Sequence, residues 1–403
     1  MNARKIAYEC LVKVIEEGQY ANLMMRSSLN QAAEVDKGLI TQIVYGTLRN
    51  YRLCRFQWEH FAEKKCNPKI AILLDMSVYQ LFWLDKVPSY AVVNEMVDLT
   101  PQSSKGFVNA ILRKVLKQGK LDSDKIAIQT SHPDWLVGLW TAHYGEEIMK
   151  NICLSDCMDA NVVGRVNTIK CSKEELELDE KIHFLDDTAF VADFNLVQSD
   201  YFKEGKIVIQ DESSQQVVKM MDLEQNLNVL DCCSAPGTKT SQIAMMMNNT
   251  GKIIAGELHE HRTELIFTSM SHLGVTNVEV KQMDARFLHE HYNEEFDRIL
   301  VDAPCSGLGV LKRKPDIKIR CTPESIDEIV ELQCEILQSA SRCLKKGGIL
   351  VYSTCTLNKK ENDRQIANFL KTNVEYELLC EKTIFSTDAN KDGFYMAKLF
   401  KKA

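Results

Sequence analysis

From about residue 211 the chain alternates between short apolar runs and helical stretches. NVLDC, KIIAGE, VEVKQ, DRILVD and GILVYS are short enough to be buried strands. Between most of them lie SQIAMMM, HRTELIFTSMSHLG and ESIDEIVELQCEILQSASRCLKK, with apolar residues every three or four positions. This alternation constrains the fold more than any other feature. A strand that rejoins its sheet in parallel needs a crossover, and the crossover helices cover both faces. The expectation is a doubly wound α/β domain over 211–403 with a mostly parallel sheet. YELLC and FYMAKLF add two strands as a closing hairpin, making seven, one of them antiparallel.

Residues 1–125 read differently. ARKIAYECLVKVIEE, GLITQIVYGTLRNYRLCRFQWEHFAE, IAILLDMSVYQLFWL, YAVVNEMVDLT and KGFVNAILRKVLKQ carry helical spacing, with breakers at Gly18, Asn67-Pro68, Pro88 and Pro101. An all-helical bundle is expected there. Residues 126–210 are less regular. HPDWLVGLWTAHYG reads as a helix, and VVGRVNTIK and KIVIQ as strands, giving a small mixed α+β connecting domain. A chain of 403 residues accommodates three such parts, since one core rarely outgrows about 300 residues.

Charge is divided unevenly. Residues 1–120 hold 17 Lys and Arg against 11 Asp and Glu, a net of +6, in a chain of net −7. The basic third is compatible with a phosphate-bearing partner, and solvated helix faces explain it equally well. Fourteen cysteines require a reducing compartment unless they are bridged. MNARKIAYEC lacks the apolar core of a secretory signal, and no run is long enough to span a bilayer. A cytoplasmic protein with reduced thiols and no membrane association is expected. There is no Cys-x2-Cys pair, so no metal is expected.

Three stretches carry chemistry. In NVLDCCSAPGTKTSQIAMMM a strand ends at Asp231 and a helix begins near Thr238. The small residues between let a ligand lie against backbone N–H groups. G-x-G-x-x-G and G-x-x-x-x-G-K-[ST] are both absent, so nicotinamide and triphosphate readings lose their usual support. Glu257 ends the second strand, where a carboxylate can accept from both ribose hydroxyls, and Asp284 follows the third, within reach of an adenine amine. Any one acidic strand end is commonly a helix cap. Three in succession suit an adenosine cofactor without a triphosphate, and S-adenosylmethionine fits.

The second stretch is VDAPCS, with Asp302 and Cys305 after the fourth strand; the third is VYSTCTLNKKEND, with Cys355 after the fifth. The fourth and fifth strands of a doubly wound sheet are neighbours, and ligands bind beyond their carboxyl ends. Cys305, Cys355 and Asp302 should then face one pocket. A lone cysteine is usually a small buried hydrophobe, but two at adjacent strand ends beside a cofactor motif are harder to dismiss. Lys239, at the start of the first helix, can lower a thiol pKa or move a proton.

DCCSAPGTKT, DAPCSG and YSTCT resemble the three signatures of the RNA cytosine-C5 methyltransferases of the NOL1/NOP2/sun type. GRVNTIK and GKIVIQDESSQ resemble blocks that precede that catalytic domain, and DKGLITQIVYGTLRNYRL, SVYQLFWLDKVPSYAVVNEMV and GFVNAILRKVL resemble a NusB-like RNA-binding domain. Together they cover nearly the whole chain. The resemblance implies a Rossmann-like class I S-adenosylmethionine-dependent methyltransferase domain behind a NusB-like bundle, an arrangement that acts on 16S rRNA, free or in an early small-subunit particle. A monomer is expected.

The resemblance also assigns roles. Cys355, in the last signature, is the nucleophile, and Cys305 assists release of the methylated RNA. Cofactor contacts fall on Cys233, Ser234, Ala235, Pro236, Gly237, Thr238, Lys239, Glu257, Arg262, Asp284 and Asp302. Arg165 and Asn167, in GRVNTIK, are expected to contact RNA. So are Lys312, Arg313 and Lys314 in LKRKPDIKIR, a basic loop that could equally be solvated. The chemistry explains the thiol. Cytosine C5 is too weak a nucleophile until a thiolate adds to C6, and a carboxylic acid near N3 and the exocyclic amine, here Asp302, stabilises the adduct. The base must leave its stack to reach such a pocket.

This chain departs from the family in three places. Thr238 replaces the second glycine of the first signature and can cap the helix start. Glu257 stands where aspartate is commoner. The segment after GRVNTIK is shorter than usual. Two other readings stay open: the same chemistry on tRNA or another RNA, and a catalytically silent rRNA-binding or assembly factor. The intact Asp302, Cys305, Cys355 and Lys239 weigh against the silent factor.

Overall fold

The computed structural model describes residues 2–403 and divides the chain into two units. The first is helical and comprises residues up to Asp159 together with Leu311–Cys321. The second comprises Ala160–Val310 and Thr322–Ala403.

In the helical unit, helices run over Ala3–Ile15, Ala21–Leu29, Glu34–Arg49, Tyr51–Trp58, Pro68–Trp83, Ser89–Leu99 and Lys105–Gln118. GLITQIVYGTLRNYRLCRFQWEHFAE, read as one helix, is broken at Asn50, whose ψ of 19° leaves the helical region and whose Nδ2 donates to the Gly46 carbonyl. Pro68–Trp83 is central because it is apolar nearly all round, and every residue from Ile70 to Gln80 is buried. Pro68 opens its first turn, and the Asn67 side chain accepts from the Lys69 N–H. Asp75, inside this helix, would be costly alone. Arg55 donates to it from two nitrogens and Trp58 Nε1 donates at 2.7 Å. Gly46 permits a close helix crossing, since a Cβ there would lie 1.9 Å from the Tyr79 ring.

Two expectations are corrected here. Helices Ile126–Gln129, Asp134–Tyr144 and Glu146–Ser155 belong to this unit, not to a mixed domain over 126–210. Their apolar faces, with Leu136, Trp140 and Ile152 fully buried, require a helical core that the short strands downstream do not offer. The segment expected as a basic loop also packs into this unit and forms the short helix Ile317–Arg320. Lys312 and Lys318 are buried, and Lys318 Nζ donates to the Thr130 carbonyl at 3.0 Å. Asp316 accepts from Arg320 and from the Ala21 N–H. Arg313 is half-buried, so of the three residues expected to grip RNA only Lys314 is exposed.

The second unit contains two sheets. The smaller is antiparallel: β1 (Gly164–Val166), β2 (Ile182–Phe184), β3 (Ala189–Ala192) and β4 (Ile207–Ile209), in the order β2-β3-β1-β4. The hairpin β2–β3, with strands of three and four residues, was not read from the sequence. Its turn is a local polar device in which Asp186 Oδ1 accepts from the Thr188 and Ala189 N–H groups.

The larger sheet is built from β5 (Asn228–Asp231), β6 (Lys252–Glu257), β7 (Val278–Gln282), β8 (Phe296–Asp302), β9 (Leu344–Thr354), β10 (Tyr376–Ile384) and β11 (Phe394–Lys401). Their order is β10-β11-β9-β8-β5-β6-β7, and β5 to β9 pair in parallel. β11 is antiparallel to both its neighbours, as the closing hairpin required. Strand order reverses between β5 and β8, which leaves a crevice at their carboxyl ends. β8 and β9 are neighbours with Asp302 opposite Ser353, so the segments carrying Cys305 and Cys355 emerge side by side. Among the described residues no helix is long and apolar enough to cross a membrane, and no group of three or more His, Cys, Asp or Glu could hold a metal.

Candidate active site

The first motif forms a tight turn between β5 and the helix Thr238–Met246. Ser234 N–H donates to the Gly256 carbonyl and Gly237 N–H to the Ser234 carbonyl at 2.7 Å. Gly237 sits at φ 100°, a region open to glycine and strained for other residues. Gly237 is also the helix cap, and no side chain caps this end, so Thr238 is the first helical residue and not the cap expected of it. Asp231 is fully buried at the end of β5. Its Oδ2 accepts from Thr240 Oγ1 at 2.7 Å, while Oδ1 has no protein partner. Burial pushes its pKa up to about 7.

Glu257 is buried at the end of β6, where it accepts from the His259 N–H and pairs with Arg262 at 3.2 Å. Arg262 also donates to the Ala235 carbonyl and so ties the acidic strand end to the loop. Asp284 caps the 3-10 helix Ala285–Glu290 and pairs with Arg286, which holds its carboxyl below the usual range. S-adenosylmethionine fits this donor set. Glu257 and Asp284 are acceptors matched to ribose hydroxyls and an adenine amine, and one buried Asp231 oxygen is left without a partner.

At the neighbouring strand ends Asp302 is held from two sides. Lys239 Nζ donates to its Oδ2 at 2.8 Å and Ser353 Oγ to its Oδ1 at 2.7 Å. Burial disfavours the Lys239 ammonium, but Asp302 outweighs it, and the pKa is raised. The Cys305 and Cys355 sulfurs lie 3.3 Å apart, and neither is in a disulfide. The hydrogen bond to Cys355, together with burial, pushes the Cys305 thiol well above its ordinary value. The structure thus brings together Lys239, Asp302, Cys305 and Cys355. Ser353 was missed by sequence reasoning, although its place opposite Asp302 follows from pairing the two motifs in register.

A close backbone contact supports the thiols. Gly309 N–H donates to the Cys355 carbonyl and Gly393 N–H to the Gly309 carbonyl. A Cβ on Gly309 would lie 2.0 Å from the Gly393 oxygen, a backbone atom that cannot swing aside. Gly309→Ala is expected to cost on the order of 1–3 kcal/mol and to lower methyl transfer. An unchanged urea midpoint would contradict the contact.

Arg165 and Asn167, expected at RNA, are buried. Arg165 Nη2 donates to Ser241 Oγ and to the Thr238 carbonyl, so it braces the first turn of the cofactor helix. Burial pushes its pKa down to about 9. Asn167 Nδ2 donates to the Gly205 and Leu273 carbonyls. Both carry out structural work that charge and polarity in the sequence did not reveal.

A doubly wound domain with an adenosine-type loop and paired thiols is the architecture of a nucleic-acid methyltransferase. The sequence model of the 16S rRNA methyltransferase RsmB/F family matches residues 218–400, and that of the NusB family matches residues 1–117. The chain is 37% identical over 401 residues to the Bacillus subtilis protein "Probable ribosomal RNA small subunit methyltransferase B", covering 93% of this chain and 90% of that one. It is 29% identical to ribosomal RNA small subunit methyltransferase B of Klebsiella pneumoniae, over 100% of this chain and 99% of that one. The crystal structure of PH0851 superposes with a TM-score of 0.82 at 23% identity, covering 100% of this chain and 99% of that one. The chain belongs to the RsmB/F family of S-adenosylmethionine-dependent 16S rRNA methyltransferases.

Proposed function

We propose that this protein transfers a methyl group to C5 of a cytosine in 16S rRNA through a covalent adduct between Cys355 and C6, and that Cys305 assists release. The observation that carries the reading is the pair of reduced thiols 3.3 Å apart beside the Lys239–Asp302 ion pair. Two thiols are more than nucleophilic attack alone requires, and a second makes sense when a covalent bond must also be broken.

Cys355 adds to C6 and turns C5 into an enamine-like nucleophile. Asp302 holds N3 and the exocyclic amine, with Lys239 as the proton-bearing group behind it. Bound S-adenosylmethionine supplies an electrophilic methyl; Glu257, Asp284 and the loop Cys233–Thr238 would hold it. Loss of the C5 proton then expels the Cys355 sulfur, and Cys305, held as a thiol, is in position to stabilise that sulfur as it leaves. The NusB-type helical unit supports an RNA partner.

Bisulfite sequencing of 16S rRNA and tRNA from strains with and without the gene tests the reading. One cytosine of 16S rRNA is expected to lose protection without the gene. Loss confined to tRNA would redirect the substrate, and no loss in either RNA would remove the activity.

A further inference from the structure

Glu361 lies six residues after Cys355 and is fully buried, yet all four groups that donate to its carboxylate are uncharged. Ser306 N–H donates to Oε2 at 2.9 Å and Ser306 Oγ to Oε1 at 2.5 Å. Gln333 Nε2 donates to Oε2 at 3.1 Å and Asn358 Nδ2 to Oε1 at 3.0 Å. Three of these are obligate donors, which matches an acceptor-only carboxylate. A buried carboxylate is costly, and one kept without a cation calls for a reason.

The donors identify the reason. Ser306 directly follows Cys305. Gln333 also donates to the carbonyl of Pro304, the residue before Cys305, at 2.9 Å. Ser306 Oγ lies 2.7 Å from the hydroxyl of Thr356, the residue after Cys355. Tyr352 OH, from the strand leading to Cys355, donates to the Glu361 backbone carbonyl at 2.8 Å. One carboxylate therefore clamps the chain on both sides of Cys305 to the segment that follows Cys355. The strand register sets the two segments side by side, and this clamp fixes the residues that flank each sulfur while the sulfurs lie 3.3 Å apart.

We propose that Glu361 is a positioning residue that holds Cys305 against Cys355 and so sets the rate at which the covalent RNA adduct is released. This rests on the release role given to Cys305 above. In the step it governs, water takes the C5 proton and the C–H electron pair becomes the C5–C6 double bond. The C6–S pair returns to Cys355, whose sulfur accepts a hydrogen bond from the Cys305 thiol. The negative charge of Glu361 adds to Cys355 and burial in keeping Cys305 a thiol, the form that can donate that bond.

Glu361→Gln keeps the size of the side chain but turns an NH2 group toward obligate donors, so at least one clamp bond is lost. The full-length variant, given 16S rRNA transcript and S-adenosylmethionine, is expected to form the Cys355 adduct and release it at least tenfold more slowly. The adduct is read as a slow-migrating species on a denaturing gel. Cys305→Ala, run beside it, is expected to accumulate the same species. The double variant should show no more adduct than Cys305→Ala alone, because Glu361 acts through Cys305, whereas a merely structural role would add its own loss. Glu361→Asp should restore part of the release rate.

Should Cys305→Ala accumulate adduct while a folded Glu361→Gln releases it at the wild-type rate, the positioning role is overturned. Should Cys305→Ala itself show none, it is the release reading that fails. If Glu361→Gln does not fold, Ser306→Ala, which removes one donor only, takes its place, and normal release there overturns the proposal.

Discussion

Cys355→Ala is expected to abolish methyl transfer, by on the order of 10⁴-fold or more, while the protein stays folded and binds its cofactor. Without a thiolate at C6, C5 remains part of an aromatic ring, and the Lys239–Asp302 pair has no adduct to stabilise. Position favours Cys355 over Cys305. Its carbonyl is fixed by the Gly309 N–H, and Lys239 lies within electrostatic reach of it. The hydrogen bond to Cys355, together with burial, pushes Cys305 well above its ordinary pKa, which keeps it a thiol. Replacing one half-buried thiol by a methyl group leaves the strand ladder intact, so the thermal midpoint should barely move. Turnover within tenfold of wild type would sink the assignment.

Cys305→Ala is expected to do the opposite at the gel and the same in turnover. Attack through Cys355 still occurs, methylation proceeds once, and the adduct persists. Protein and RNA then migrate together under denaturing conditions in the presence of S-adenosylmethionine. Removing Cys355 as well should erase the band, which identifies the sulfur that carries the RNA. The geometric basis is the 3.3 Å between the sulfurs, close enough for a thiol to stabilise its neighbour as a leaving group. A Cys305→Ala enzyme that turns over without a trapped species would leave the second thiol unexplained.

Much of this site was legible in the sequence because its parts are local. Strand, turn and helix follow one another within twenty residues in NVLDCCSAPGTKTSQIAMMM, and the acidic residues stand at strand ends that apolar runs mark out. That Cys305 and Cys355 lie side by side required only the rule that the fourth and fifth strands are neighbours, which β8 and β9 obey. Glu361 was in view within VYSTCTLNKKEND but carried no signal, because three of its four carboxylate bonds reach Ser306 and Gln333, which only the folded chain brings near.

Charge was the feature most easily misread. LKRKPDIKIR looks solvated because lysine and arginine are seldom buried. Yet Lys312 and Lys318 are enclosed in the helical unit, where a backbone carbonyl meets the Lys318 ammonium. Arg165 was expected to contact RNA and instead donates to a serine hydroxyl and the first turn of the cofactor helix. No window of sequence contains the partner that makes such a burial affordable.

The sequence by itself determined the class of each part, the alternation that makes the parallel sheet, and the residue types that carry the chemistry. These follow from periodicity and from motifs whose members are close along the chain. Only the tertiary structure decided where the units divide, that residues 311–321 return to the helical unit, and which polar side chains are spent inside. It alone showed that one buried carboxylate joins the residue after Cys305 to the segment that follows Cys355. The physical reason is common to all four. Burial and hydrogen bonding are satisfied by partners up to hundreds of residues away, and only the folded chain brings those partners together.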